Sequence, residues 1–103
     1  MDPIIGIIGG MGPLATCDLF DKMTRMTAAT TDQEHVHIII DSNTCIPDRT
    51  QAILHGGPSP VPEIKKSAKR LENMGASLLI MPCNTAHYFY DEICQDLSLP
   101  LLH

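Results

Sequence analysis

The sequence has few basic residues and no closely spaced cysteine pair. Lys and Arg number 7 against 12 Asp and Glu, so the formal charge is -5 over 103 residues. Nucleic-acid binding needs clustered cations to meet the phosphates, so we expect no nucleic-acid partner. None of the four cysteines forms a CxxC pair, which argues against a zinc knuckle or a thioredoxin-like site. We therefore expect no metal site.

Long apolar runs, repeats and low-complexity tracts are also missing. No apolar stretch approaches the roughly 20 residues that span a bilayer, so we expect no membrane association. A strand-like run begins at Ile4 with no secretory leader before it, and the expectation is a cytoplasmic protein with reduced thiols. The length predicts one domain, over residues 1–103.

Short β-branched runs alternate with helical patterns along the chain. Such alternation is typical of right-handed crossovers and a parallel sheet. The sequence therefore predicts an α/β fold with a parallel four-stranded sheet flanked by helices. The predicted strands cover residues 4–8, 36–40, 77–81 and 100–103, and the predicted helices cover 14–27, 62–74 and 85–97, with a short helical turn ending at residue 54.

Helical spacing predicts which side chains of the first two long helices face the core. Pro13 suits the first position of its helix, and Gly75 is placed to end the second long helix. The inward residues predicted for the first helix are Leu14, Cys17, Leu19, Phe20, Met23 and Met26, and those for the second are Ile64, Ala68, Leu71 and Met74.

The last predicted strand has no helix after it. Parallel sheets need helices on both faces, and three long helices leave one edge of a four-stranded sheet bare. This pattern favours a truncated or halved chain. The alternative is a complete small α/β domain, and the pattern alone does not separate the two.

Polar loops follow three of the predicted strands, over residues 9–16, 41–50 and 82–87. Ligands of open α/β sheets bind beyond the carboxyl ends of the strands. Nearly all residues with useful chemistry fall in these three loops, and this coincidence is the main indication of a catalytic or binding site.

Cys83 is the leading candidate for a reactive group. It precedes a predicted helix, whose free N–H groups and positive dipole end would stabilise a thiolate. Asn84 and Thr85 could cap that helix and donate hydrogen bonds to a bound carboxylate. Position alone fits a small buried thiol equally well. Cys17 and Cys94 are interpreted as core residues, and Cys45 as an exposed loop residue.

The glycine loop and two cationic side chains have competing interpretations. Gly10, Gly12 and Ala15 fit a dinucleotide-binding spacing, but Pro13 removes an N–H group, and Asp41 lies too far along the chain to hold a ribose. Arg49 could pair with a carboxylate in two-pronged fashion, although a surface arginine is the commoner case. We interpret His87 as a capping or core residue in preference to a proton relay.

Three stretches together resemble the aspartate/glutamate racemase family, and the resemblance covers nearly the whole chain. Each motif alone is weak, but their order and their places at strand ends make the set specific. They are residues 7–16 (IIGGMGPLAT), then 41–43 (DSN) with 46–50 (IPDRT), then 81–87 (MPCNTAH).

The resemblance implies two similar flavodoxin-like halves that face each other across an active-site cleft. Each half supplies one cysteine, and neither pyridoxal phosphate nor a metal takes part, so we expect no cofactor. One thiolate removes the α-proton of an amino acid, and the other thiol protonates the opposite face. Cys83 is then the thiol of the N-terminal half. The residues that would contact the amino-acid substrate are Met11, Gly12, Asn43, Arg49, Asn84 and Thr85.

The family's second cysteine and a basic residue for acidic substrates belong to the other half, which these 103 residues do not include. The partner is therefore either the missing C-terminal half or a second subunit, and a homodimer would bring two Cys83 thiols together. Alternatives are an inactive fragment, a non-enzymatic binding remnant, or a related isomerase or decarboxylase of small dicarboxylic acids.

Overall fold

The computed structural model describes residues 2–103, and its central element is a parallel sheet of three strands. These strands are β1 (Ile4–Gly9), β2 (His37–Ser42) and β3 (Leu78–Ile80), in the spatial order β2-β1-β3. β1 pairs in parallel with both neighbours. Its β-branched run is the most buried of the three, as expected for a central strand covered on both faces.

In the part of the chain that the structure describes, four α-helices and two 3-10 helices connect and flank the strands. The α-helices are α1 (Pro13–Met26), α2 (Arg49–Leu54), α3 (Val61–Asn73) and α4 (Tyr90–Cys94), and the 3-10 helices are Asp32–Glu34 and Thr85–Phe89. Gly9 of β1 faces Thr16 of α1, whereas Gly6 faces Leu71 of α3. Because these β1 positions are three apart, α1 and α3 lie on opposite faces of the sheet.

The α3 face of the sheet holds most of the core. Ile64, Ala68 and Leu71 are fully buried, as the helical spacing predicts. Met74 was expected to join them but is 67% exposed. It is the C-cap of α3, and its N–H still donates to the carbonyl of Arg70. Gly75 turns the chain away immediately after it with a φ of 103°, and the Met74 side chain is left exposed at the end of the helix.

The α1 face is covered only thinly, which corrects the inward face predicted for this helix. Pro13 does occupy the first helical turn, but Thr16 is the only buried residue of α1. Leu14 and Met26 are 83% and 82% exposed, and Cys17 is exposed. The face that meets the sheet runs through Thr16, Leu19 and Met23, and the other apolar residues of α1 are exposed. No helix within residues 2–103 is both long and apolar enough to cross a membrane.

The fourth strand is reduced to one isolated bridge, which corrects the predicted four-stranded sheet. Leu101 bridges Leu79 in parallel. Two hydrogen bonds hold the segment, from the N–H of Leu79 to the carbonyl of Pro100 (2.9 Å) and from the N–H of Leu102 to the carbonyl of Leu79 (3.0 Å). β3 itself has only three residues, so it offers no longer ladder on which a strand could form.

The predicted helix over 85–97 is also replaced by shorter pieces. The 3-10 helix Thr85–Phe89 is followed by α4, which ends at Cys94. Aromatic residues are poor helix formers, and four consecutive aromatic rings begin at His87. Two of them bond outside the helix: His87 to the carbonyl of Met81, and Tyr90 to that of Leu101.

Gly10→Ala should destabilise the fold strongly, whereas Gly12→Ala should not. A Cβ at Gly10 would lie 2.5 Å from the backbone nitrogen of Asn43, at a φ of 92°. Strain of this kind costs about 1–3 kcal/mol before any clash is added. A Cβ at Gly12 meets nothing within 4 Å. Urea unfolding of the two variants and the wild type checks this difference, and equal losses of stability would contradict it.

Candidate functional site

The candidate site lies where the chain reverses direction across the sheet. From β1 the chain crosses to β2 on one side, and from β2 it crosses back to β3 on the other. The crevice beyond the carboxyl ends of β1 and β3 is therefore a topological switch point, where open α/β sheets bind ligands. The loops after these strands carry Met11 and Gly12 on one side, and Cys83 and Asn84 on the other.

The glycine loop after β1 packs closely against its neighbours because Gly9 and Gly10 have no side chains. A Cβ at Gly9 would lie 2.6 Å from Oγ1 of Thr16, and that hydroxyl accepts a hydrogen bond from the N–H of Gly10 at 2.9 Å. The N–H of Asn43 donates to the carbonyl of Gly9 at 3.1 Å. Gly12, in contrast, is exposed with open space beside it. The loop is therefore tightly supported at its base and accessible at its tip.

Asn43 uses its side chain within the protein. Its amide nitrogen donates to Oγ of Ser67 at 2.9 Å and to Oε2 of Glu63 at 3.2 Å, and its amide oxygen accepts from the N–H of Cys45 at 3.0 Å. Asn43 is buried. This arrangement fixes the loop after β2 to α3, so it favours a positioning role for Asn43.

The pKa of Glu63, which bonds Asn43, is shifted by its surroundings. The amide of Asn43 donates a hydrogen bond that holds the pKa of the Glu63 carboxyl below its ordinary value of 4.5. Lys66 and Arg70 act in the same direction, and desolvation acts against them. Glu63 and Ser67 are four residues apart on α3, so both face the same loop.

Arg49 begins α2 and lies at the border of the site. Its Nη1 donates to the carbonyl of Pro47 at 3.3 Å, and its Nε is buried with no hydrogen-bond partner among residues 2–103. Asp48 caps α2 through the N–H of Gln51 (2.8 Å). Asp48 is thus committed to the helix end, and no carboxylate among residues 2–103 pairs with Arg49. α2 packs against the 3-10 helix that follows Cys83.

Cys83 is half-buried, packed at the edge of the main core. Its Sγ lies 3.3 Å from Oγ1 of Thr85, and its N–H donates to the carbonyl of Met81 at 2.9 Å. Asn84 and Thr85 are both exposed. The helix expected after Cys83 is a five-residue 3-10 helix, so the long helix dipole expected beside the thiol is absent from this segment.

His87 holds the turn that carries Cys83. Its Nε2 is 2.8 Å from the carbonyl of Met81. A carbonyl only accepts, so Nε2 carries the proton and Nδ1 is an acceptor in the neutral ring. Nδ1 is buried without a partner within residues 2–103. The ring also stacks on Tyr90 and His103, which agrees with the capping or core interpretation of His87.

The other candidates from the sequence were Asp41 as a ribose ligand and the three remaining cysteines. Asp41, the candidate ribose ligand, instead pairs with Arg70 at 2.9 Å, so the dinucleotide interpretation gains no support. All four cysteines are free, and Cys94 packs against the core as expected, whereas Cys17 is exposed. Within residues 2–103, no three His, Cys, Asp or Glu side chains cluster closely enough to hold a metal ion.

The structure brings the three predicted loops to one edge of the sheet through a shared core. Met11, Ile46 and Ala86, one from each loop region, belong to the same buried cluster. Sequence reasoning missed Thr16, Glu63 and Ser67, which hold the loops in place. The i, i+4 spacing of Glu63 and Ser67 on a helix was the one available signal, but it does not reveal what that helix faces.

Comparison with known proteins identifies the family of the chain. Residues 8–103 match the Asp/Glu/Hydantoin racemase family, and the chain belongs to that family. It is 36% identical to the broad specificity amino-acid racemase RacX of Bacillus subtilis, over 97% of this chain and 45% of that protein.

Solved structures show the same fold. The Picrophilus torridus aspartate racemase superimposes with a TM-score of 0.91 at 40% identity, over 98% of this chain and 43% of that one. An aspartate racemase homologue from Pyrococcus horikoshii gives 0.77 at 26% identity, over 99% and 44%. The chain thus spans a little under half the length of these relatives.

Glu63→Gln should lower stability near neutral pH, and the deficit should shrink as the pH falls below 4.5. Because the folded-state pKa is depressed, the carboxylate contributes fully above its ordinary pKa and loses that contribution as the pH falls through the folded value. Urea unfolding of both proteins across this range measures the deficit. A deficit independent of pH would show that the carboxylate charge is not involved.

Proposed function

We propose that this chain supplies one half of the active site of a cofactor-independent amino-acid racemase, with Cys83 as one of two acid/base thiols. The observation that carries the proposal is the position of Cys83: half-buried at the switch point, with a hydroxyl 3.3 Å from its sulfur. Membership of the racemase family supports the same chemistry. The proposed substrates are aspartate, glutamate or a related amino acid.

The reaction needs a base on one face of the α-carbon and an acid on the other. The Cys83 thiolate takes the α-proton, the electron pair of the C–H bond remains on the substrate, and a second thiol returns a proton to the opposite face. Cys83 is only partly exposed, so a bound substrate would complete its desolvation and hold the α-carbon close to Sγ.

Asn84 and Thr85 are the proposed ligands of the α-carboxylate. Both are exposed and adjacent to Cys83, so a carboxylate held there places the α-carbon beside the sulfur. Negative charge moves onto the carboxylate oxygens as the α-proton leaves, and donors already aimed at those oxygens stabilise it.

The other two loops would hold the remainder of the substrate. The open space beside Gly12 lets a ligand approach the backbone closely, with Met11 buried beneath it. Arg49, which has no acidic partner among the described residues, suits a substrate carboxylate. Asn43 would act indirectly, by fixing the loop to α3.

A second α/β half is the proposed partner, either the remainder of a longer chain or a separate subunit, including a second copy. The three elements that follow the site loops each carry a strongly exposed apolar side chain: Leu14 of α1 (83%), Tyr88 of the 3-10 helix Thr85–Phe89 (69%) and Leu54 of α2 (68%). Apolar side chains exposed around a polar site are typical of a surface that another element covers. Four free thiols fit the reducing conditions of the cytoplasm, which is the proposed location.

Mixing this chain with the C-terminal part of the Bacillus subtilis relative should produce racemisation of L-aspartate or L-glutamate, whereas this chain alone should not invert either. The reason is that one thiol can exchange a proton on only one face of the α-carbon, and inversion needs both faces. Chiral chromatography in deuterated water, together with loss of the α-proton signal, measures inversion and exchange separately.

Cys83→Ala should abolish the reconstituted activity, and Cys45→Ala, which removes an exposed loop thiol, should leave it unchanged. Racemisation by this chain alone that depends on Cys83 would favour the symmetric dimer. Activity that survives in Cys83→Ala would sink the proposal. Carbon dioxide release or isomerisation of a dicarboxylic acid, without inversion, would assign the site to a related lyase or isomerase.

A further inference from the structure

The hydroxyl of Thr85 lies within hydrogen-bond distance of the sulfur of Cys83. Oγ1 is 3.3 Å from the sulfur of Cys83, and no other side-chain hydrogen bond of Thr85 occurs within residues 2–103. A hydroxyl offers one donor and two acceptor sites. The thiolate of Cys83 can only accept, so in that state the Thr85 hydrogen must point at the sulfur.

A substrate carboxylate competes for the same hydrogen. Under the proposed function, Thr85 also donates to the α-carboxylate, which likewise only accepts. The hydroxyl cannot donate fully to the thiolate and the carboxylate at once. Occupation of the carboxylate position therefore removes the donor from the sulfur.

We propose that Thr85 is a hydrogen-bond switch that stabilises the Cys83 thiolate in the empty site and releases it when a carboxylate binds. The proposal rests on the racemase function and extends it. The resting thiolate is held by a donor, and substrate binding removes that donor when a base is needed. Thr85 touches both the reacting sulfur and the carboxylate, so it is a catalytic residue in this proposal.

Proton transfer then strengthens both hydrogen bonds of Thr85. Once Sγ has taken the α-proton, the S–H can donate to a lone pair of Oγ1, while the Thr85 hydrogen stays on the carboxylate. The electron pair left on the substrate increases the negative charge on that carboxylate. The two hydrogen bonds, from S–H to Oγ1 and from the Thr85 hydroxyl to the carboxylate, are thus both formed when the negative charge on the carboxylate is greatest. Stabilisation at that stage lowers the barrier and accelerates the reaction.

Alkylation of Cys83 by iodoacetamide tests the first half of the switch without any turnover. Near neutral pH, Thr85→Val should slow labelling about threefold, because losing a donor to a charged group lowers the thiolate fraction about tenfold while the more basic thiolate reacts about threefold faster. At a pH where both proteins are fully ionised, the same variant should label about threefold faster than the wild type.

The reversal of sign separates loss of the hydrogen bond from damage to the fold. Thr85→Ser retains a hydroxyl and should label like the wild type. Cys17 and Cys45 are exposed in the same chain, and their labelling rates, assigned by tandem mass spectrometry, should be equal in all variants. Identical Cys83 rates in Thr85→Val and the wild type, or a change of one sign at every pH, would overturn the proposal.

Calorimetric titration with L-aspartate tests the second half through a double-mutant cycle. Cys83→Ala frees the hydroxyl, so aspartate should bind roughly fivefold more tightly than to the wild type, and this gain should disappear when Thr85→Val is also present. A gain that persists without the hydroxyl would mean only that a negative charge was removed, and it would refute the switch.

Failure of the switch and failure of the racemase function give different results. Racemisation in the reconstituted protein with no coupling in the cycle overturns the switch alone. Coupling and sign reversal without racemisation uphold the switch and overturn the racemase assignment. No aspartate binding to any of the four proteins overturns the carboxylate half of the switch for this chain.

Discussion

The contact between the loop after β1 and the loop after β2 is the constraint on which the rest of the site depends. Gly10 passes so close to the backbone of Asn43 that a Cβ has no room. Asn43 then reaches Glu63 and Ser67 on α3, while Gly10 itself is held by Thr16 of α1. One glycine thus lets helices on opposite faces of the sheet support the same pair of loops.

Much of this fold follows from local patterns in the sequence. The β-branched runs around Ile7 and Ile39 predict two of the strands, and Pro13 and Gly75 mark one end each of α1 and α3 correctly. The alternation of strands and helices also predicts that the polar loops gather at one edge of the sheet. Each of these features depends on a few neighbouring residues and on general rules of chain connection, so a single sequence is sufficient.

The errors arise where distant contacts decide the structure. The carbonyls of Met81 and Leu101 accept hydrogen bonds from His87 Nε2 and the Tyr90 hydroxyl. These contacts favour a 3-10 helix followed by a short α-helix over the longer helix that the pattern predicts. The fourth strand shrinks to one bridge because β3 is short. The position of Cys83 is predictable from the sequence. Its contact with the Thr85 hydroxyl and the hydrogen bonds of Asn43 to α3 can be seen only in the folded chain.

The site is built from turns and short helices rather than from long regular elements. Cys83, Thr85 and His87 lie within five residues, and each makes a contact inside that segment or with Met81, the residue after β3. Their geometry therefore depends on a few hydrogen bonds in a small region, with Ala86 fully buried as the anchor. Arg49 and the Gly12 loop belong to separate elements. The local turn can therefore position the Cys83 thiol, while the other loops determine which ligand groups fit beside it.

The thin cover of α1 has a dynamic consequence. A helix that buries one residue opens at a small fraction of the free energy needed to unfold the sheet, because little apolar surface is exposed when it detaches. That one residue is Thr16, which also accepts the hydrogen bond from Gly10. Transient detachment of α1 would therefore free the glycine loop at the same moment. The helix and the loop should open as one cooperative unit, with hydrogen exchange of the α1 amides and motion of the loop occurring together.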